Sequence, residues 1–219
     1  MDAQREGKFQ RILNAAIKAI SESGYHQCQV TKIARLAGVA DGTIYLYFKS
    51  KEEVLIRVFQ ERMGDFISFM SRELSECETT KARLRTIVRT HFSYMEQNRS
   101  LAIVSQLELR QSDPRIRAAI NETVLGYFNL IEGVIQQGIT SGEVPETDLR
   151  VARQMIFGSL DEATTDWVMA RSPRTLMSGL EPMLALFEGA LRLHDKPNKI
   201  KRGAVEPKRE EDVAVPDIL

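Results

Sequence analysis

Phe9, Ile12, Leu13, Ala16, Ile17 and Ile20 recur at intervals that gather all six on one stripe of an α-helix. Gly24 follows as a natural left-handed stop. The segment from Thr31 to Ala37 keeps Ile33, Ala34 and Ala37 on one side and halts at Gly38. A second short helix is predicted over 42–48, ending at Lys49. Ser50, Lys51, Glu52 and Glu53 then read as a capping box, with Ser50 as N-cap and Glu53 reaching back to it. The helix opened there turns Val54, Leu55, Val58, Phe59, Met63, Phe66, Ile67 and Met70 inward.

The remaining pattern repeats the theme at greater length. Leu84, Ile87, Val88, His91, Phe92 and Met95 form a stripe in a helix opened by Thr80. Residues 100–110 are apolar around most of the circumference (Leu101, Ala102, Ile103, Val104, Leu107, Leu109), which predicts a helix buried between others. Asp113-Pro114 is an N-cap followed by proline at the first helical position. It opens a helix carrying Ile116, Ile120, Tyr127, Phe128, Ile131 and Ile135 and ending near Gly142. Pro145-Glu146-Thr147 starts another, to about Ala170. The last helix, about 175–193, buries Leu176, Leu180, Met183, Leu184, Phe187 and Leu191; Pro182 either kinks it or marks its true start. Nothing alternates with period two, and no internal repeat is found. The fold class is all-α, with about nine helices.

Composition bounds the partners. The chain has 219 residues, 43% hydrophobic and 27% charged, ordinary for a globular protein. No apolar run approaches the roughly 18–20 residues of a membrane span, and the first eleven residues carry no secretory pattern. Cys28 and Cys77 fit neither a disulfide framework nor a metal knuckle, which predicts reduced thiols in a cytoplasmic protein. The 30 basic and 30 acidic side chains cancel, yet residues 1–62 carry +3, residues 63–195 carry −4 and the last twenty-four carry +1. That leading excess bears on nucleic acid only where the charges share a face. Residues 196–219 hold eleven charged side chains, three prolines and no aromatic, so 195–219 is predicted to be a disordered charged tail.

A helix, a short helix, a tight turn at Gly38 and a second short helix have the layout of a helix-turn-helix unit, whose second short helix enters the DNA major groove. Ile44 and Phe48 face the small core beneath, alongside Ile33, Ala34 and Val39. Gly42 lets the backbone approach a phosphate, and Thr43 bonds a phosphate oxygen or offers its methyl to thymine. Tyr45, Leu46 and Tyr47 look outward or sideways, and Lys49 and Lys51 add charge at the helix end. Tyrosines in so short a helix also occur as plain core. The flanking lysines and the preceding glycine favour the recognition surface.

The run Thr31-Lys32-Ile33-Ala34-Arg35-Leu36-Ala37-Gly38-Val39-Ala40-Asp41-Gly42-Thr43-Ile44-Tyr45-Leu46-Tyr47-Phe48-Lys49-Ser50-Lys51-Glu52 resembles the signature of the TetR family of bacterial transcriptional regulators. The match covers about residues 8–55, and it adds Thr31 and Lys32 to the DNA-binding set. Ala40 departs from the serine that commonly caps the recognition helix, a role Asp41 is placed to take over. The resemblance implies a DNA-binding domain over 1–52 and, over 53–194, an all-helical domain that binds a small effector and dimerises through its last two helices. The segments 105–112 (Ser-Gln-Leu-Glu-Leu-Arg-Gln-Ser) and 152–162 (Ala-Arg-Gln-Met-Ile-Phe-Gly-Ser-Leu-Asp-Glu) resemble one branch of that family. That branch represses fatty-acid degradation genes and is released from DNA by long-chain acyl-CoA. The likeness extends across most of residues 8–193.

An acyl-CoA effector demands a long apolar tunnel and basic groups for its phosphates. Leu101, Val104, Leu107, Phe128, Ile131, Ile135, Met155, Phe157 and Trp167 are candidate lining, and each also fits plain core. Among Arg85, Arg89, Arg99, Arg110 and Arg117, Arg110 is favoured because it ends a helix predicted to be buried; a solvated arginine is the competing reading for each. His91 reads as a hydrogen-bonded core histidine or a ligand contact. Glu108, Asp161 and Glu162 are expected to be buried acids paired with arginines. For the dimer, Ala152, Ile156, Ser159 and Ala163 permit close helix approach, and Leu180, Leu184, Phe187 and Leu191 complete an isologous four-helix bundle. Two recognition helices would then meet successive major grooves of a palindromic double-stranded operator. An α-helical enzyme is disfavoured: G-x-S-x-G, H-E-x-x-H, a P-loop and G-x-G are lacking, and His26, His91 and His194 are scattered. No metal or cofactor and no membrane contact are expected. A regulator of the same family that senses a drug or another lipophile is the open alternative.

Overall fold

The computed structural model describes residues 3–171 and 174–194, and the expected tail at 195–219 lies outside the described residues. Among the described residues the chain forms nine α-helices, one 3₁₀ turn and no strand: α1 Ala3–Gln27, α2 Val30–Ala37, α3 Asp41–Ile44, α4 Lys51–Ser75, α5 Thr80–Gln97, α6 Arg99–Glu108, α7 Pro114–Ser141, α8 Leu149–Met169, a 3₁₀ turn Leu176–Gly179, and α9 Leu180–Ala190. No helix is long and apolar enough to cross a membrane.

The leading stripe behaves as its periodicity requires. Phe9, Ile12, Leu13, Ala16, Ile17 and Ile20 are all buried, where α1 meets α2, α4 and α6. Gly24 breaks α1 with a φ of 71°, a backbone conformation that strains any side chain, and one further turn to Gln27 follows. The chain reverses again at Gly38, whose φ of 67° caps α2. The second short helix is shorter than expected. Only Asp41–Ile44 is α-helical, and bonds from Leu46 N–H to Thr43 O, Tyr47 N–H to Ile44 O and Phe48 N–H to Ile44 O tighten the rest into a turn. Asp41 does not cap it: Ala40 is the N-cap and brings no side-chain bond, so Asp41 sits in the first turn.

The other boundaries follow local chemistry. Ser50 Oγ accepts the Glu53 N–H at 3.3 Å, while Glu53 reaches one residue further back than expected, accepting from Lys49 N–H at 2.6 Å. Thr79, not Thr80, caps α5; Thr80 N–H is instead taken by the buried Glu143 carboxylate. Asp113 accepts from Arg115 and Ile116 N–H at the start of α7. Asp148 caps α8, three residues beyond Pro145. Pro182 resolves as a start signal, since it lies in the first turn of α9, where its missing N–H costs nothing.

Helices α4 and α6 to α9 all pack against α5. Arg85 of α5 holds Glu181 of α9 through two bonds of 2.5 and 2.7 Å, which favours the ionised state of both partners.

Candidate DNA-reading face and effector cavity

Helices α2 and α3 pack together and bring most of the expected DNA-binding positions to one exposed side. Thr31 is exposed in the first turn of α2 and, with Lys32, Arg35, Ser23, Gln27 and Gln29, lines an open groove of about 360 Å³. Lys32 is ion-paired to Glu22 at 2.8 Å, which holds the Glu22 carboxyl below its ordinary range. Gly42, Tyr45 and Lys49 are exposed, Thr43 is partly so, and Leu46 is 74% exposed, high for a leucine with only structural work. Ile44 and Phe48 are buried beneath them.

Two positions differ in kind. Tyr47 is half-buried, its ring 6.5 Å from that of Phe9 and under the Arg5 guanidinium at 5.8 Å. Lys51 is committed inside the chain: its Nζ donates to the carbonyls of Tyr25 (3.1 Å) and His26 (3.2 Å) and lies 4.5 Å over the Tyr25 ring. These are the last carbonyls of α1, where a cation is favoured. Lys51 therefore secures the unit instead of offering a free charge to DNA.

The second site lies where α4, α5, α6, α7 and α8 converge. Phe59, Met63 and Phe66 from α4, His91 and Met95 from α5, Ser105, Gln106 and Leu109 at the end of α6, Val124 and Tyr127 from α7, and Phe157 and Asp161 from α8 line an apolar cavity. Its free volume is about 30 Å³, room for a water or so against roughly 300–1,000 Å³ in occupied ligand sites. The cavity is far too small for a long ligand, which must part its walls.

Its polar groups form two separate sets. Thr164 Oγ1 donates to Leu160 O at 2.9 Å, so its lone pair takes the His91 Nε2–H at 3.1 Å, and the Tyr127 hydroxyl donates to His91 Nδ1 at 3.1 Å. This order satisfies every proton and fixes the tautomer. Burial lowers the His91 pKa to about 4, against the opposing pull of the Asp161 charge, and the same burial raises the Tyr127 phenol. Nearer the rim, the buried Asp161 carboxylate is bound at 2.5 Å by the largely exposed Arg110, and Gln106 Oε1 accepts from Thr165 at 2.7 Å.

The expected effector residues divide accordingly. His91 and Phe157 line the cavity. Leu101, Val104, Ile131 and Ile135 are buried core outside its lining. Phe128 stacks edge-on against Phe157 at 4.8 Å with the Arg153 guanidinium 4.4 Å above it, and Met155 is partly buried. Trp167 belongs to a separate groove with Phe92, Ala163 and Leu176, its indole N–H bound to Arg174 O at 2.9 Å. Leu107 is 45% exposed and cannot line an interior site: α6 buries one face only, with Glu108 and Ser105 on it. Glu162 is exposed, and Glu108 is buried without an arginine, bound instead by Tyr25 N–H and Gln111 Nε2.

The expected dimer residues need a larger correction. Ala152, Ile156, Leu184, Phe187 and Leu191 are buried within the single chain, Ile156 completely, leaving them little surface to offer a second copy. Ser159, Ala163 and Leu180 are only partly buried. The faces that α8 and α9 leave open carry Val151 at 60% exposed, Met169 at 63% and Leu186 at 72%.

A helix-turn-helix unit leading a helical domain with an interior apolar cavity is the plan of a ligand-responsive DNA-binding regulator. Residues 12–58 match the bacterial regulatory proteins of the tetR family, and residues 59–189 match the C-terminal region of YsiA-like proteins. The chain belongs to the TetR family of transcriptional regulators. It is 52% identical over 194 residues to the fatty acid metabolism regulator protein of Bacillus subtilis, covering 88% of this chain and 99% of the relative. The crystal structure of the transcriptional regulator FadR from Bacillus subtilis in complex with stearoyl-CoA matches it with a TM-score of 0.79 and 49% identity, over 82% of this chain and 97% of that one. The fatty acid degradation regulator FadR from Bacillus halodurans matches with a TM-score of 0.80 and 46% identity, over 84% and 100%. These relatives are regulators, not enzymes, and no cluster of three or more metal-ligating side chains occurs among the described residues.

Proposed function

We propose that this chain is a dimeric repressor of fatty-acid degradation genes, acting in the bacterial cytoplasm, that leaves its operator when it binds a long-chain acyl-CoA. The carrying observation is the narrow cavity of aromatic and thioether side chains in a chain that matches, over 82% of its length, a regulator crystallised with stearoyl-CoA. Residues 1–52 serve as the DNA-binding domain, through Thr31, Lys32, Gly42, Thr43, Tyr45, Leu46 and Lys49, with Tyr47 and Lys51 holding the unit in shape. Residues 53–194 serve as the effector and dimerisation domain. Two copies meet through the open faces of α8 and α9, around Val151, Met169 and Leu186, which sets the two recognition units on successive turns of a palindrome, about 34–36 Å apart.

The effector acts by linkage. It binds better to the conformation whose recognition units are wrongly spaced, so operator affinity falls by the ratio of the two affinities. Electrophoretic mobility of a palindromic promoter fragment tests this. Retardation that is abolished by micromolar stearoyl-CoA, but not by CoA alone or a lipophilic cation, is the expected result. Release by the cation instead would assign the cavity to a drug or another lipophile.

A further inference from the structure

Helical serines and threonines commonly return their hydroxyl to a carbonyl one turn back, and this molecule follows the rule widely. Ser23, Thr123, Ser159 and Thr164 donate to Ala19, Ala119, Met155 and Leu160 at 2.7–3.3 Å. Ser105 does not. It is 6% exposed on the inner face of α6, it lines the cavity, and its Oγ has no hydrogen-bond partner. The Thr80 hydroxyl is also unpaired, but it is packed against Gly138 and Val144.

Most of the other polar groups of the cavity are engaged. His91, Tyr127 and Thr164 satisfy one another, Asp161 is held by Arg110, and Gln106 by Thr165. The cavity thus offers a ligand a buried hydroxyl with no partner, in apolar surroundings. Burying a hydroxyl without a partner costs free energy that a ligand acceptor would recover. A carboxylate at this point would face the Asp161 charge, whereas a neutral carbonyl oxygen takes the Ser105 proton without that repulsion. An uncharged acceptor on a long apolar chain fits both demands.

We propose, resting on the acyl-CoA reading above, that Ser105 is a specificity-determining residue whose O–H is donated to the thioester carbonyl oxygen of the bound effector. The placement agrees with the rest of the site. Ser105 stands one helical turn inside Leu109 and Arg110, so a carbonyl held there sends the CoA portion out past Arg110. The alkyl chain then runs inward toward Met63 and Phe66.

Calorimetric titration of stearoyl-CoA and its thioether analogue S-octadecyl-CoA, which lacks the carbonyl, into the full-length protein and Ser105→Ala tests the assignment. The readout is the affinity ratio of thioester to thioether. It should be about three- to tenfold smaller in Ser105→Ala than in wild type, the worth of one buried neutral hydrogen bond. Ser105→Thr, which keeps the hydroxyl, should restore the ratio, and Ser105→Ala should melt no lower than wild type because it removes an unpaired group. An equal ratio in wild type and Ser105→Ala overturns the role of Ser105 while leaving the acyl-CoA reading intact. Absence of stearoyl-CoA binding to wild type overturns both.

Discussion

The His91 side chain has one donor and one acceptor, and the fold supplies one partner for each: Thr164 for Nε2–H and Tyr127 for Nδ1. The site is built for the neutral ring, and burial lowers its pKa to about 4 against an ordinary 6.5. The consequence for stability has a definite sign. Above about pH 6.5 both folded and unfolded chains are neutral at this position and nothing changes. Between about 6.5 and 4 the unfolded chain takes up a proton that the folded chain refuses, so stability falls as pH falls, by about 3 kcal/mol over the window. Below about pH 4 both states are charged and this contribution is fully lost. Denaturant unfolding of wild type and His91→Leu from pH 7.5 to 4 isolates it, because all carboxylates are common to both proteins. His91→Leu should be less stable at pH 7.5, with Tyr127 and Thr164 deprived of their partner, and should show a shallower fall. Parallel curves would mean that the folded protein binds the proton.

Among the elements, α2, α3 and the start of α4 show how two neighbouring lysines take different work. Lys49 is exposed in the turn after α3, whereas Lys51 is spent on the last carbonyls of α1. Lys49→Ala should leave the melting temperature unchanged, weaken operator binding, and reduce the slope of log affinity against log salt by about 1, the loss of one phosphate contact. Lys51→Ala should instead lower stability by about 1 kcal/mol through the freed carbonyls of α1. Identical salt slopes and a lowered melting point for Lys49→Ala would reverse the two roles.

The same elements mark how far the sequence is legible. Helix number, order and most boundaries follow from spacing and caps, because both are local. The helix-turn-helix is legible because Gly38 and the signature around it are contiguous. Long-range facts are not. The partners of His91 lie 36 and 73 positions away, and nothing local points to them. Periodicity also selects the strongest apolar stripe of a helix, and in α8 and α9 the protomer core consumes that stripe. Ile156 and Leu184 are therefore read as interface from the sequence and found buried in the protomer, while the exposed Val151 and Leu186 lie on weaker stripes, Leu186 beside Pro182, Gly189 and Ala190. Arg110 was legible as a rim residue, but its pairing with Asp161, 51 positions on, was not.

At the scale of the whole molecule, a hydrogen-bonded junction at Tyr25 ties the DNA-reading unit to the cavity wall. Tyr25 follows the break at Gly24; its carbonyl is held by Lys51 of α4 and its N–H donates at 2.9 Å to Glu108 at the end of α6. Glu108 precedes Leu109, which lines the cavity, and its second oxygen is bound by Gln111. A ligand parting the cavity walls at Leu109 would also move the neighbouring Glu108, whose bond to Tyr25 N–H reaches the end of α1, on which α2 is packed. Glu108→Ala keeps the cavity lining and removes this tie. It should bind stearoyl-CoA within about twofold of wild type while the effector-induced loss of operator affinity shrinks several-fold, a reduction in coupling free energy on the order of 1 kcal/mol. Leaving the Tyr25 N–H buried and unpaired should also cost about 1–3 kcal/mol in unfolding free energy. Operator Kd measured with and without saturating stearoyl-CoA separates the two effects, since lost stability alone lowers the active fraction equally in both. An undiminished response in Glu108→Ala would move the coupling away from the Tyr25 junction and onto the apolar contacts of α1 with α4 and α6.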